Sequence, residues 1–173
     1  MSKQRFPVFE WPKDADRLSL ENGLLVIAIP ILLNMQRQEA RRLVREAIQE
    51  VLALLLNCAV SEINLFSQAG QTVKLLNENH SIGLSVSHDA GLSLVAINMH
   101  GPVGVDLMAI DSTPDDKELR TLAIEYLGAE VAERIQNKPT EQHKEAFAMA
   151  WTEFEAGLKL KGEALAEWSA KRD

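Results

Sequence analysis

Cysteine is almost absent. The single Cys58 in 173 residues excludes a disulfide framework and a cysteine-based zinc site, and its apolar surroundings read as those of a small buried hydrophobe. Long hydrophobic runs are missing too: Leu24–Leu33, the longest, is ten residues and contains Pro30, about half of what a membrane-spanning helix needs. The opening stretch MSKQRFPVFEWPKD holds charges, aromatics and prolines but no apolar core of a secretory signal, so a cytoplasmic setting without membrane contact is expected. Cations are in the minority, 18 Lys and Arg against 25 Asp and Glu, for a net charge of −7. That balance opposes the basic field on which non-specific nucleic-acid binding rests, and no nucleic-acid partner is expected. A polyanionic ligand would have to be met by a local cluster of cations or by a metal ion. The patterns GxxxxGK[ST], GxGxxG and GxSxG are also absent, which removes the motifs of phosphate-loop NTPases, dinucleotide enzymes and α/β-hydrolases.

What is present divides by period. Residues 1–22, with Pro7 and Pro12, read as an irregular arm, and LLVIAI (Leu24–Ile29) as a buried strand ended by Pro30. From Arg37, apolar residues recur every three or four positions from Ala40 to Leu55, which predicts an amphipathic helix of about five turns, with Asn34 as N-cap. A short strand is expected at Ile63–Ser67 and a turn at Ala69-Gly70-Gln71. A meander of three short strands follows: Gly83–Ser87, a turn at Asp89-Ala90-Gly91, Leu92–Asn98, a turn at His100-Gly101-Pro102, then Val103–Leu107. Helices are expected from about Pro114, interrupted at Gly128, and from Pro139-Thr140 to Gly162. The last should bury a stripe of Phe147, Trp151, Phe154 and Leu158.

Several residues in these elements could carry chemistry. The period of two places Gly104, Asp106 and Met108 on one face of Val103–Leu107. Asp106, between Val105 and Leu107, either holds a turn or binds a cation, since an unpaired carboxylate there is costly. Gly104 on the same face would leave room for a ligand. On the last helix Thr152, Glu155 and Lys159 share a face, and Glu155–Lys159 could equally be an exposed i,i+4 ion pair. Ser87-His88 sits at a strand end, as a satisfied turn or as part of a site. Arg37, Arg41 and Arg45 with Arg42 form the densest cationic patch, either a solvated helix face or an anion-binding one.

Three segments, in order, resemble signature blocks of the 4′-phosphopantetheinyl transferases. They are SVSHDAGLSLVAI (Ser85–Ile97), GPVGVDLM (Gly101–Met108) and WTEFEAGLKLKG (Trp151–Gly162). The family patterns run S-[IL]-S-H, G-[IV]-D-[IL]-E and W-[ST]-x-K-E-[AS]-x-x-K. Their order and spacing are similar to the larger single-chain branch that activates peptide and polyketide synthetases, over most of the chain from about Arg37.

The resemblance implies an α+β fold of two similar α/β halves forming a pseudo-dimer, residues 1–100 and residues 101–173, with coenzyme A in the cleft between them. It implies a Mg²⁺-dependent direct displacement that moves the phosphopantetheine arm of coenzyme A to a serine of an apo acyl or peptidyl carrier protein of fatty-acid, polyketide or peptide synthesis, releasing 3′,5′-ADP. Asp106 and Glu155 would hold Mg²⁺, Glu155 would act as base, and Lys159 would hold a phosphate oxygen. Ser87 and His88 would contact the ribose 3′-phosphate. Met108 stands where many members place another acid, which makes Asp89 the candidate third ligand, with water as the alternative. Phe154 replaces a family Lys, and Gly70-Gln71-Thr72 stands where Gly-Lys-Pro would flank the adenine, so Gln71 with Arg41 or Arg45 would supply coenzyme contacts. The chain also stops about a dozen residues after Lys161, short of the family's usual C-terminal strands. A monomer is expected, with a homodimer as the alternative. A non-catalytic relative that binds a carrier or coenzyme A without transfer is the competing functional class.

Overall fold

A parallel pair opens the chain: β1 (Val8–Glu10) lies beside β2 (Leu24–Pro30), in register from Val8↔Val26 to Glu10↔Ala28. The arm expected over residues 1–22 therefore contains a strand; three residues at a sheet edge are too few to show a period. In β2, Leu25, Ile27 and Ile29 are buried and the residues between them partly covered, and the strand ends at Pro30, which has no N–H to extend the ladder. α1 (Arg37–Leu56) turns Val44, Ala47, Ile48, Val51 and Leu52 inward. Its N-cap is Gln36 rather than the expected Asn34, because the chain first closes a turn in which Met35 N–H donates to Leu32 O at 2.9 Å. Asn57, left-handed at φ 51°, ends it.

β3 (Leu65–Phe66) and β4 (Lys74–Leu75) form a short antiparallel pair. β5 (Gly83–Asp89) and β6 (Leu92–Asn98) form the expected hairpin. Asp89 pairs with Leu92, which leaves Ala90 and Gly91, at φ 45° and 77°, as a two-residue turn whose twist suits the strands. The main sheet has the order β1-β2-β6-β5, so β5 is an edge. Its core joins Leu25, Ile27, Val95, Ile97 and Leu84 to the inner face of α1.

The third meander strand expected at Val103–Leu107 is not a ladder strand. The N–H groups of Val105 and Leu107 bond to side chains of β5 rather than to its carbonyls, so among the described residues no strand pairs with β5 along that side. Beyond it come α2 (Asp116–Leu122), a π turn over Ala123–Leu127, α3 (Ala129–Gln136) and α4 (His143–Lys161). Asp115 caps α2 by accepting from the N–H of Lys117 and Glu118 at 3.1 and 3.0 Å. These helices close on a second core of Leu119, Ala123, Leu127, Ile135 and Phe147. In the expected stripe of α4, Phe147 and Leu158 are buried whereas Trp151 and Phe154 are half-buried.

The computed structural model describes residues 6–66, 73–76, 81–163 and 165. Among them every strand precedes Gly101 and every α-helix but α1 follows it, which makes the fold mixed α+β with a largely antiparallel sheet. Among the described residues no helix is long and apolar enough to cross a membrane.

Candidate functional site

The site begins with the alternation of β5. Leu84 and Val86 face the core, which turns Ser85, Ser87 and Asp89 to the other side. Those three polar side chains meet the backbone N–H groups of Val105, Leu107 and Ala109 at 3.0, 3.2 and 2.5 Å. Each pair is 20 residues apart, so the segment 105–109 runs parallel to β5 in a fixed register held by side chains. Ser85 and Ser87 are buried, at 0% and 6% exposure, and these bonds are what satisfies them.

α4 crosses this segment closely. A Cβ on Gly104 would collide with the Ala156 carbonyl, so the space expected for a ligand is filled by the helix backbone. The close approach brings Lys159 over the segment, where its Nζ donates to Asp106 Oδ1 at 2.7 Å, Val105 O at 3.1 Å and Val86 O at 3.4 Å. The exposed Glu155–Lys159 pair weighed from the sequence is therefore replaced by a Lys159–Asp106 bridge whose acid is only 7% exposed. Thr152, on the same helical face, turns its hydroxyl back to Ala148 O at 2.8 Å.

A cleft of about 340 Å³ opens where these elements meet. Ser87, His88, Asp106, Glu155 and Lys159 are its polar wall, with Met108 and Trp151 among its apolar lining. Burial raises the pKa of Glu155 and the charge of Asp106 adds to this, while Lys159 and a hydrogen bond with the Trp151 side chain pull the other way. The pKa of His88 is lowered, first by burial and then by the charges of Lys159, Arg41 and Arg37. Its Nδ1 lies 2.7 Å from Ser93 Oγ on the neighbouring strand. The cleft thus holds two carboxylates and a histidine within the positive field of one lysine and two arginines.

Of the residues singled out in the sequence, Asp106, Glu155, Lys159, Ser87 and His88 line one cleft. The arginine patch divides. Arg37 and Arg41 act on His88, Arg42 pairs with Glu46 at 2.8 Å, and Arg45 bonds the Leu65 carbonyl. Asp89 does not line the cleft; its Oδ2 accepts from Ala109 N–H. Gln71 and its neighbours Gly70 and Thr72 lie outside the described residues. Phe154 stacks edge-on to Trp151, with ring centroids 6.3 Å apart. Among the described residues no group of three or more His, Cys, Asp or Glu is placed to hold a metal, so the cleft offers a pair of acids. Trp151 was legible only as core. Its position four residues before Glu155, hence on the same helical face, is the signal that places it at the cleft.

No known protein family profile matches the chain. Among curated proteins it is similar to the 4′-phosphopantetheinyl transferase HetI of Nostoc sp. (strain PCC 7120 / SAG 25.82 / UTEX 2576), with 32% identity over 83 residues. Those residues are 48% of this chain and 34% of the relative, so the match spans about a third of the relative's length. It is a distant, partial likeness, and it supports the 4′-phosphopantetheinyl transferases at the level of the family.

Proposed function

We propose that the protein transfers the 4′-phosphopantetheine arm of coenzyme A to a serine of an apo acyl or peptidyl carrier protein. The observation that carries the reading is the convergence of Asp106 and Glu155, far apart in the chain, on one cleft beside Lys159 and His88. Three sequence blocks and the partial likeness to a named transferase point the same way.

The chemistry is a displacement at phosphorus. The carrier serine oxygen bonds to the phosphorus bearing pantetheine, the bond from that phosphorus to the bridging oxygen breaks, and 3′,5′-ADP leaves. The serine proton needs an acceptor. Glu155 has its proton affinity raised by burial and by Asp106, which suits that role. Lys159, held in place by three acceptors, contributes fixed positive charge to the cleft, and Arg37 and Arg41 extend that field toward the substrate's phosphates. His88 keeps a hydrogen-bonding face through its pairing with Ser93.

Asp106 and Glu155 fit Mg²⁺: the charge of Asp106 raises the proton affinity of Glu155, which a cation between them would relieve, and Mg²⁺ is commonly held by one or two carboxylates plus substrate phosphates and waters. When bound it would neutralise charge on the diphosphate. With Asp89 engaged by Ala109, the remaining positions fall to substrate oxygens and water. The proposal includes the pseudo-dimeric arrangement, with residues 1–100 and 101–173 as its halves. What supports it is that the cleft lies between β5 and elements that follow Gly101.

Intact-mass measurement of apo carrier proteins, incubated with this protein, coenzyme A and Mg²⁺, tests the reading. A gain of one phosphopantetheine per carrier is expected. Unchanged mass across acyl and peptidyl carriers, with coenzyme A still bound, would instead establish a binder without transfer.

A further inference from the structure

The Ser87 hydroxyl is fully oriented by its neighbours. A backbone N–H can only donate, so Leu107 N–H takes a lone pair of Oγ at 3.2 Å, and the single hydroxyl proton goes to Asp106 Oδ1 at 2.7 Å. Lys159 Nζ donates to the same oxygen at 2.7 Å, and its two other acceptors, Val86 O and Val105 O, lie on the two segments that Ser87 joins. Asp106 Oδ1 therefore has two donors fixed by buried or bridging groups. Oδ2 takes no hydrogen bond from any described residue, and it is not among the buried atoms left without one, so it stays open to the cleft.

We propose that Ser87, together with Lys159, is a positioning residue for Asp106: the pair fixes one carboxylate oxygen and presents the other, singly, to a divalent cation in the cleft. The inference rests on the transferase reading for the identity of the site. It departs from the coenzyme contact expected for Ser87 on a chemical ground. A phosphate needs a proton donor, and the only proton Ser87 carries is directed at Asp106. Ser85 supplies an internal control. Its hydroxyl makes the equivalent bond to Val105 N–H at 3.0 Å, two residues back in the same register, and it does not bond Asp106.

The test is Mn²⁺ titration of the full chain, followed by electron paramagnetic resonance, with melting temperature recorded alongside. Ser87→Ala should weaken Mn²⁺ binding about tenfold and Ser85→Ala less than about twofold, as expected when a group orienting a ligand is lost. Both variants should melt earlier, since each loses the bond that a backbone N–H donates to the serine hydroxyl. Ser87→Thr, which keeps the hydroxyl, should restore the affinity. Equal Mn²⁺ affinity in Ser87→Ala and wild type overturns the proposal, as does a variant that loses coenzyme A but not Mn²⁺, or a wild type that binds no Mn²⁺. Should Ser87→Ala fail to fold, Ser87→Cys decides: a weaker donor must weaken Mn²⁺ binding, and unchanged affinity overturns the idea. A wild type that shows this Mn²⁺ pattern but modifies no carrier removes the transferase reading and leaves the positioning role standing.

Discussion

Glu155 is a residue whose ionised form works against the fold that holds it. Its pKa in the folded protein is raised above the ordinary 4.5, chiefly by burial and then by Asp106. The native state therefore binds its proton more tightly than the unfolded chain does. Stability contributed by this group falls as pH rises from the ordinary value through the raised one, and is level above it. Glu155→Gln removes the titration. The variant should melt a few degrees above wild type near pH 7.5 and close to it near pH 4, where both side chains are neutral. Calorimetric scans at the two pH values check this, and a lower melting temperature at neutral pH would show that Lys159 and Trp151 outweigh the burial. The same variant should abolish transfer, because an amide accepts no proton.

At the scale of elements, the site depends on how closely α4 lies on the segment 103–109, and two glycines separate that contact from simple helix propensity. Gly104 has the Ala156 carbonyl where a Cβ would be, so Gly104→Ala should destabilise by about 3 kcal/mol and loosen the Lys159–Asp106 bridge. Gly157, inside α4 one turn before its C-terminal end, has nothing within 4 Å of where a Cβ would be, so Gly157→Ala should stabilise by about 0.5–1 kcal/mol. Urea unfolding of the two variants should therefore move in opposite directions. If both were neutral, the packing of α4 on the segment would not be what holds the cleft closed. These contacts also mark what the sequence could and could not show. Periodicity was enough for β2, α1, the β5–β6 hairpin and α4, because each buries one face and the repeat reports it. The same alternation put Asp106 on a face of residues 103–107 but could not say what that backbone bonds to, since the partners are hydroxyls of a strand 20 residues earlier. The motif blocks brought Asp106, His88, Glu155 and Lys159 to attention. The division of the arginines and the direction of the Ser87 proton depend on distances between elements, which spacing along one element does not contain.

For the whole molecule the governing quantity is a net charge of −7, which the proposed substrate, coenzyme A, would meet as a polyanion. Long-range attraction cannot bring coenzyme A in, so the cations that matter are those near enough to act within a Debye length, about 10 Å at 0.1 M salt. Arg37 and Arg41 are the exposed members of that set. They sit at the start of α1, both depress the pKa of His88 at the cleft, and neither is held in an ion pair among the described residues, unlike Arg42. Replacing both with alanine should leave the reacting groups untouched and weaken only the capture of the anion. The expected result is a KM for coenzyme A raised about tenfold, about 1.4 kcal/mol, at an ionic strength near 0.01 M, with kcat within about twofold of wild type. At about 0.5 M salt the two proteins should converge, because screening does to the wild type what the substitutions do to the variant. Steady-state kinetics at the two ionic strengths checks this. A KM difference that persists in high salt would mean direct contact between these arginines and the coenzyme, and a fall in kcat would place them at the reacting phosphate instead of at the mouth of the cleft.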